Sequence, residues 1–406
     1  MSLEPVDAAS RRPPAFPEGL PLARPAVGDP AEVAADVEAI LRSGVLTDGP
    51  FVRRLEARAQ EYLGVRHCVA VASCTSGLML LLRAAGSSGD VIVPSFTFMA
   101  SAHAVVWNGL RPVFADVDGA TLTLDPGSVE KAVGVRTSAI VATHVYGTPC
   151  DVEGLRAVAH RHGIRLFFDA AHAFGSLHGG RHVGGFGEAE VFSLSPTKPL
   201  TAAEGGIIAT DDDVLAERCR VGRDYGNPGD YDARFVGLNA RMSELHAAVA
   251  LRSFEGLEER IEQRNRVAAW YREALAEVPG VRFPEVRAGD RSTFKDLTIL
   301  VDRDRFGADA GSLASMLAAE GVESRRYYAP PIHRSRAYRR FAGGNGGLPV
   351  TDLASHQALC LPLWPGMARE QVQRVAEIIR TAGGGGQRSS PGAAHERYGA
   401  RFVAGS

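Results

Sequence analysis

The chain has 406 residues, of which 45% are hydrophobic, enough to bury a sizeable core and to divide into a large and a small domain. A formal net charge of −2 gives no whole-molecule field that would favour nucleic acid, and no run approaches the roughly 18 apolar residues of a membrane span, so neither partner is expected. Five cysteines (Cys68, Cys74, Cys150, Cys219, Cys360) form no CxxC pair. With an N-terminus that lacks the apolar core of a signal peptide, this points to reduced thiols, no metal site and a cytoplasmic protein.

In chain order, residues 1–24 carry Arg11, Arg12 and several prolines and read as a loosely ordered segment; residues 25–275 read as the large domain. A short apolar strand over 67–72 leads through Ser73-Cys74-Thr75-Ser76-Gly77 into a helical run from Leu78 to Ala85. That order suits a phosphate cradle, because the free N–H groups at a helix N-terminus attract an anion, although an ordinary βα turn has the same outline. Further strands are expected at 91–93, 112–115, 139–144, 165–168, 191–193 and 206–209, with helical stretches between most of them, the rhythm of a mainly parallel sheet covered on both faces. One long helix over about 241–275 is expected to join the domains. Residues 276–382 alternate short strands (298–301) with helices (313–319, 370–379) as a small α+β domain, and the Gly-rich stretch from 383 to 406 reads as a disordered tail.

Two of these strands end in chemistry. The run Ile164 to Phe168 closes on Asp169, and the run Val191 to Leu194 is followed by Lys198 and then Glu204-Gly205-Gly206. An amine to bond an aldehyde and a carboxylate to keep a pyridine nitrogen protonated are the two groups that a pyridoxal-phosphate enzyme needs. Both stand where open α/β sheets place their ligands, at the C-terminal ends of strands.

The ordered motifs Thr75-Ser76-Gly77, Pro94-Ser95-Phe96-Thr97-Phe98, Asp169-Ala170-Ala171-His172, Ser193 with Thr197-Lys198, Glu204-Gly205-Gly206, Gly237-Leu238-Asn239-Ala240-Arg241-Met242, Tyr328 with His333, and Leu359-Cys360-Leu361-Pro362 resemble the DegT/StrS-type sugar aminotransferases over about residues 25–382. The resemblance implies fold type I of the pyridoxal-phosphate-dependent transferases, an α/β large domain with a smaller C-terminal α+β domain, working as a homodimer with shared active sites. It makes Lys198 the cofactor-bonding lysine and proton shuttle, Asp169 the ring-nitrogen partner, and His172 the contact to the ring hydroxyl, where glutamine is also common. Phe98 stacks on the ring in this reading, Thr75, Ser76 and Ser193 cradle the phosphate, and Asn239 reaches the phosphate of the other subunit. On sequence alone Phe98 reads as a core aromatic and Asn239 as a turn residue or helix cap before the Arg241 helix. Tyr328 and His333 are substrate-side candidates or surface residues, while His144 and His103 read as structural.

Within the family, Phe168 to Ala173 and Val113 to Asp118 resemble the enzymes that aminate C4 of a TDP-4-keto-6-deoxyhexose in actinomycete antibiotic pathways. The implied chemistry takes an amino group from an amino-acid donor, L-glutamate, through pyridoxamine phosphate to a nucleotide-linked ketosugar. A keto-cyclitol such as an inosose or a C3-ketosugar is an alternative acceptor; a sugar lyase or dehydratase and a cofactor-binding regulator are alternatives of another class. A branch that carries histidine in place of the lysine performs C3 deoxygenation, and Lys198 argues against it. One departure is the run Ser195-Pro196-Thr197-Lys198-Pro199, where typical members have a histidine ahead of the lysine, and its prolines predict a stiffer loop.

Overall fold

The structure, a computed structural model, describes residues 13–342 and 347–384. All seven runs expected as large-domain strands form one sheet: β1 (His67–Val71), β2 (Asp90–Pro94), β3 (Arg111–Ala115), β4 (Thr137–Thr143), β5 (Arg165–Asp169) and, beyond a short ribbon of β6 (Leu177–His178) and β7 (Arg181–His182), β8 (Ala189–Ser193) and β9 (Gly206–Thr210). The order across the sheet is β1-β9-β8-β5-β4-β2-β3. Pairing is parallel from β8 to β3 and antiparallel where β9 meets β8 and β1. Every other strand of this sheet therefore runs one way, and their C-terminal ends share an edge with the start of β9.

Adjacent residues within a strand enter different apolar layers. Phe168 and Ile207 join Ile92, Ile140 and Phe192 on one face, while Phe167 and Ile208 join Val93, Val141 and Val191 on the other. The near-continuous hydrophobic runs thus follow from a sheet buried on both sides.

Local capping moves two expected boundaries. The first helix after β1 spans Cys74–Ala84 rather than starting at 78, because Ser73 accepts the Ser76 N–H and Ser76 bonds back to the Ser73 backbone, a reciprocal cap. The single helix expected over 241–275 is instead two, Glu244–Phe254 and Leu257–Leu275, separated at Gly256, which takes φ +68°. The far half of the second helix (Val267, Tyr271, Leu275) packs into a separate core with Leu297, Ile299, Leu359 and Ile379. That core belongs to a small antiparallel sheet of β10 (Val281–Arg282), β11 (Leu297–Val301) and β12 (Ala358–Leu361).

Residues 13–24, expected to be loosely held, are tied to the small domain. Phe16 N–H donates to Glu320 O (2.9 Å), Leu20 N–H to Gly321 O (2.7 Å), and Leu20 is buried. Residues 383 and 384 complete the last helix, Arg369–Gly384, and the rest of the expected tail, 385–406, lies outside the described residues. The five cysteines are free and buried, and among the described residues no helix is long and apolar enough to cross a membrane.

One buried carboxylate fastens the large domain together. Glu244, 1% exposed, accepts the N–H groups of Gly49 (2.9 Å), Phe51 (2.8 Å) and Val52 (2.9 Å). These open the Pro50–Leu63 helix, whose Gly49 cap has no side chain to serve them. Glu244→Ala is expected to cost about 2–4 kcal/mol, because three donors lose a charged acceptor at a helix N-terminus. Urea unfolding should show a lower midpoint with an unchanged slope; an unchanged midpoint would mean that solvent replaces the carboxylate without loss.

Candidate active site

The shared edge of the main sheet gathers the chemistry. Asp169 ends β5, Ser193 ends its neighbour β8, and Lys198 sits in the loop between β8 and β9. The helix after β1 brings Ser73 and Thr75 to the same edge, and the loop after β2 brings Phe98. Together they line one cavity of about 320 Å³ with His172, and Lys295, Asp296, Tyr327 and Tyr328 close it from the small-domain side.

The Lys198 loop is a tight turn, in which Ser195 O accepts the Lys198 N–H (3.0 Å) with Pro196 in the second position, where its fixed φ suits the turn. Desolvation in the cavity, with the Lys295 ammonium adding to it, pulls the Lys198 pKa down to about 8. Asp169 behaves oppositely. Burial raises its pKa, against the pull of Ser101 Oγ–H on Oδ2 (2.6 Å) and Ala171 N–H on Oδ1 (3.1 Å). Thr97 Oγ1 lies 3.1 Å from Ser101 Oγ and 3.2 Å from Thr143 Oγ1, so a chain of hydroxyls fixes the carboxylate in one orientation. Cys74 Sγ packs between Asp169 and Val191 O, and burial keeps its thiol protonated.

His172 is buried and held neutral by desolvation, with two lysines nearby. Tyr146 N–H donates to its Nδ1 (3.1 Å), which assigns the proton to Nε2 and makes that nitrogen a donor. Phe98 is 52% exposed on the cavity wall, not in the core. Tyr328 also lines the cavity, stacked parallel to Tyr146 and edge-on to Phe96.

Three sequence candidates lie elsewhere. Ser76 does not line the cavity; its hydroxyl is engaged in the cap with Ser73, so its part in a cradle is to hold the helix start in shape. His333 is a strut: Nδ1 meets Ser95 Oγ (2.7 Å) and Nε2 lies 3.1 Å from Asp352, away from the cavity. Asn239 is exposed, bridged to Asp224, and outside its own chain's cavity. His144, stacked on Phe168, and His103, bonded to Tyr338, are structural as expected. A larger groove of about 920 Å³ between the Leu257–Leu275 and Arg369–Gly384 helices is lined by charged residues such as Glu273 and Arg374 and holds none of this chemistry.

The donor set fits pyridoxal phosphate. An amine and a buried carboxylate share one cavity with Ser73, Thr75, Ser193 and Ser195, whose hydroxyls and N–H groups suit a phosphate. Gly206 lets β9 start against the helix N-terminus, for a Cβ there would sit 2.7 Å from Cys74 N. The model of the DegT/DnrJ/EryC1/StrS aminotransferase family matches residues 29–380. The chain belongs to that family. DegT-family aminotransferases use pyridoxal phosphate, and this chain is an aminotransferase of that kind.

Among solved structures, the chain is similar to DesI, crystallised in the presence of its TDP-sugar product, with 40% identity, 92% of this chain and 95% of that one covered, and a TM-score of 0.88. It is also similar to the dTDP-3-amino-3,4,6-trideoxy-alpha-D-glucose transaminase of Streptomyces venezuelae, 36% identical over 86% of this chain and 92% of that protein. A third relative, the pleiotropic regulatory protein of Geobacillus stearothermophilus, is 35% identical over 86% of this chain and 93% of its own.

Sequence reasoning misses Ser101, Lys295, Asp296 and Tyr327. Ser101 carries no local signal, because only the fold brings it to Asp169, 68 positions away in the chain. Lys295-Asp296 does leave a trace, a charged pair directly ahead of the apolar run Leu297 to Val301.

Two outcomes are expected of this site. With the Lys198 amine mostly unprotonated only above its pKa of about 8, covalent capture of pyridoxal phosphate by the apoprotein should speed up as pH rises through 8 and then level off. Borohydride trapping followed by peptide mapping across pH 6.5–9.5, a range of roughly the depressed pKa ± 1.5, checks it, and a label on any other lysine would sink the assignment. Asp169→Asn should retain some cofactor yet lose about two to three decades in turnover, since a neutral amide replaces a charge-assisted contact in a dry site. A near wild-type rate would remove Asp169 from its role.

Proposed function

We propose that the protein transfers an amino group from an amino-acid donor, L-glutamate, to a nucleotide-linked ketosugar, and that the acceptor is TDP-4-keto-6-deoxy-D-glucose, aminated at C4 in deoxyaminosugar biosynthesis. The observation that carries the transfer is Lys198, whose amine has its pKa pulled down to about 8 in the same cavity as the buried Asp169. The nucleotide sugar is supported by the likeness to DesI and its TDP-sugar product. C4 is supported by the resemblance carried by Phe168 to Ala173 and Val113 to Asp118.

Pyridoxal phosphate, when bound, supplies an aldehyde that takes up the amino group and a ring that accepts the electron pair left on carbon. The protein supplies the rest. Lys198 Nζ takes the proton from the donor α-carbon in the first half of the cycle and delivers one to the sugar carbon in the second. Asp169 would hold the ring nitrogen by its negative charge, His172 Nε2–H would donate to the ring hydroxyl, and the exposed face of Phe98 would stack on the ring. In balance, amino acid and ketosugar become keto acid and aminosugar.

A second reading, amination at C3, is favoured by the Streptomyces venezuelae relative, whose name places the amino group at C3. The pyridoxamine form incubated with a panel of C4- and C3-keto nucleotide sugars and an inosose should regain the absorbance of the lysine-bound cofactor fastest with the TDP-4-ketosugar. Fastest return with a C3 ketone favours the second reading, and no return with any of these ketones overturns the proposed acceptor. The homodimer with shared sites rests on Asn239, exposed and outside its own chain's cavity. Mixing an inactive Asn239 variant with Lys198→Ala should restore up to about a quarter of wild-type activity, because about half of randomly paired dimers then hold one intact site. Chain exchange without recovery would exclude sharing through Asn239.

A further inference from the structure

Lys295 and Asp296 stand immediately ahead of β11, on the small-domain wall of the cavity. Lys295 Nζ donates to Asp296 Oδ1 (2.8 Å), and the two side chains are 7% and 4% exposed. The backbone is pinned, since Lys295 N–H donates to Tyr146 O (3.0 Å), and the ammonium lies 5.7 Å from the centre of the Tyr327 ring. An ammonium has three donors, and Asp296 Oδ1 is its only hydrogen-bond partner among the described residues. A buried ion pair is an expensive structural device, because desolvation offsets much of its attraction. This one faces the space where the reaction takes place.

The amino donor carries a charge beside its reacting carbon that the acceptor does not. Its carboxylate is one bond from the reacting carbon, so a cation must stand close to Lys198 in a cavity that excludes most water. The described residues lining that cavity include no arginine, and their cations are Lys198 and Lys295. Lys198 is occupied with the proton, and the ionic neighbour that acts on it most strongly is Lys295. We propose that the Lys295 ammonium anchors the α-carboxylate of the amino donor, with Asp296 as its counter-ion whenever a substrate that is neutral at the reacting carbon takes the donor's place. This rests on the reading of an amino-acid donor given above.

The two half-reactions separate the roles. Holoenzyme mixed with L-glutamate alone reports the donor half through loss of the visible cofactor absorbance; the pyridoxamine form mixed with TDP-4-keto-6-deoxy-D-glucose reports the acceptor half through its return. Lys295→Gln should weaken saturation by L-glutamate by about 30- to 1000-fold while changing the ketosugar half by less than about fivefold, and Lys295→Arg should restore the donor half to within about tenfold. Equilibrium binding of 2-oxoglutarate to the holoenzyme, read from the cofactor spectrum, should weaken in parallel. If Lys295→Gln loses the fold, Lys295→Gln with Asp296→Asn removes both charges together and is read in the same way. An equal loss in both halves would show that Lys295 acts only through Lys198 and overturn the proposal, as would unchanged saturation by L-glutamate. A wild-type holoenzyme that does not react with L-glutamate, or with other amino acids, defeats the donor reading instead.

Discussion

The buried carboxylate of Asp169 is the group on which the active site is built. A charge at the end of a central strand, between two apolar layers, persists only if donors surround it, and Ser101, the Ala171 N–H and the hydroxyl chain through Thr97 and Thr143 meet that need. Ala171 is local to Asp169, but Thr97 and Ser101 follow β2 and Thr143 ends β4, so the carboxylate is satisfied only once these strands lie side by side. Burial still wins, and Asp169 stays above its ordinary pKa. Such a carboxylate gains most from a cation brought against it, which is what a protonated pyridine nitrogen offers.

The sheet makes this placement possible through its one reversed strand. Because β9 runs antiparallel to both neighbours, the chain leaves β8 at the active edge and re-enters the sheet at the same edge, at Gly206. The loop that carries Lys198 is therefore held at both ends over the cavity. Pro196 sits inside the turn that Ser195 O and the Lys198 N–H close, so the departure from the usual family run is compatible with that turn.

Much of this was legible in the sequence because the signals are local. Seven apolar runs gave seven strands, and Asp169 and Lys198 stood out by ending or following two of them. What was not legible depends on contacts between distant residues or on a single backbone angle. Gly256 breaks a helical pattern that hydrophobic periodicity carries straight through. Ser76 has the residue type of a phosphate ligand, yet it does not line the cavity. His333 matches a motif, but the fold turns it toward Ser95 and Asp352. Residues 13–24 look featureless until Glu320 and Gly321 supply the carbonyls that they pair with. The direction of β9 likewise has no mark in its own residues.

The hydrogen bond from Tyr146 N–H to His172 also sets a rule of substitution. The side chain at position 172 must be two-sided, offering a lone pair to a backbone amide behind it and a hydrogen to the cavity in front. Neutral imidazole meets both demands with its two nitrogens, and a carboxamide meets them with its oxygen and its NH₂ group. A carboxylate has no hydrogen to give, an ammonium has no lone pair, and asparagine is one methylene short of glutamine's reach. Tyr146 itself holds φ +57°, a left-handed angle, at the residue whose amide meets this partner. The backbone turn at Tyr146 thus favours at position 172 a side chain that can accept on one side and donate on the other, as the imidazole here does.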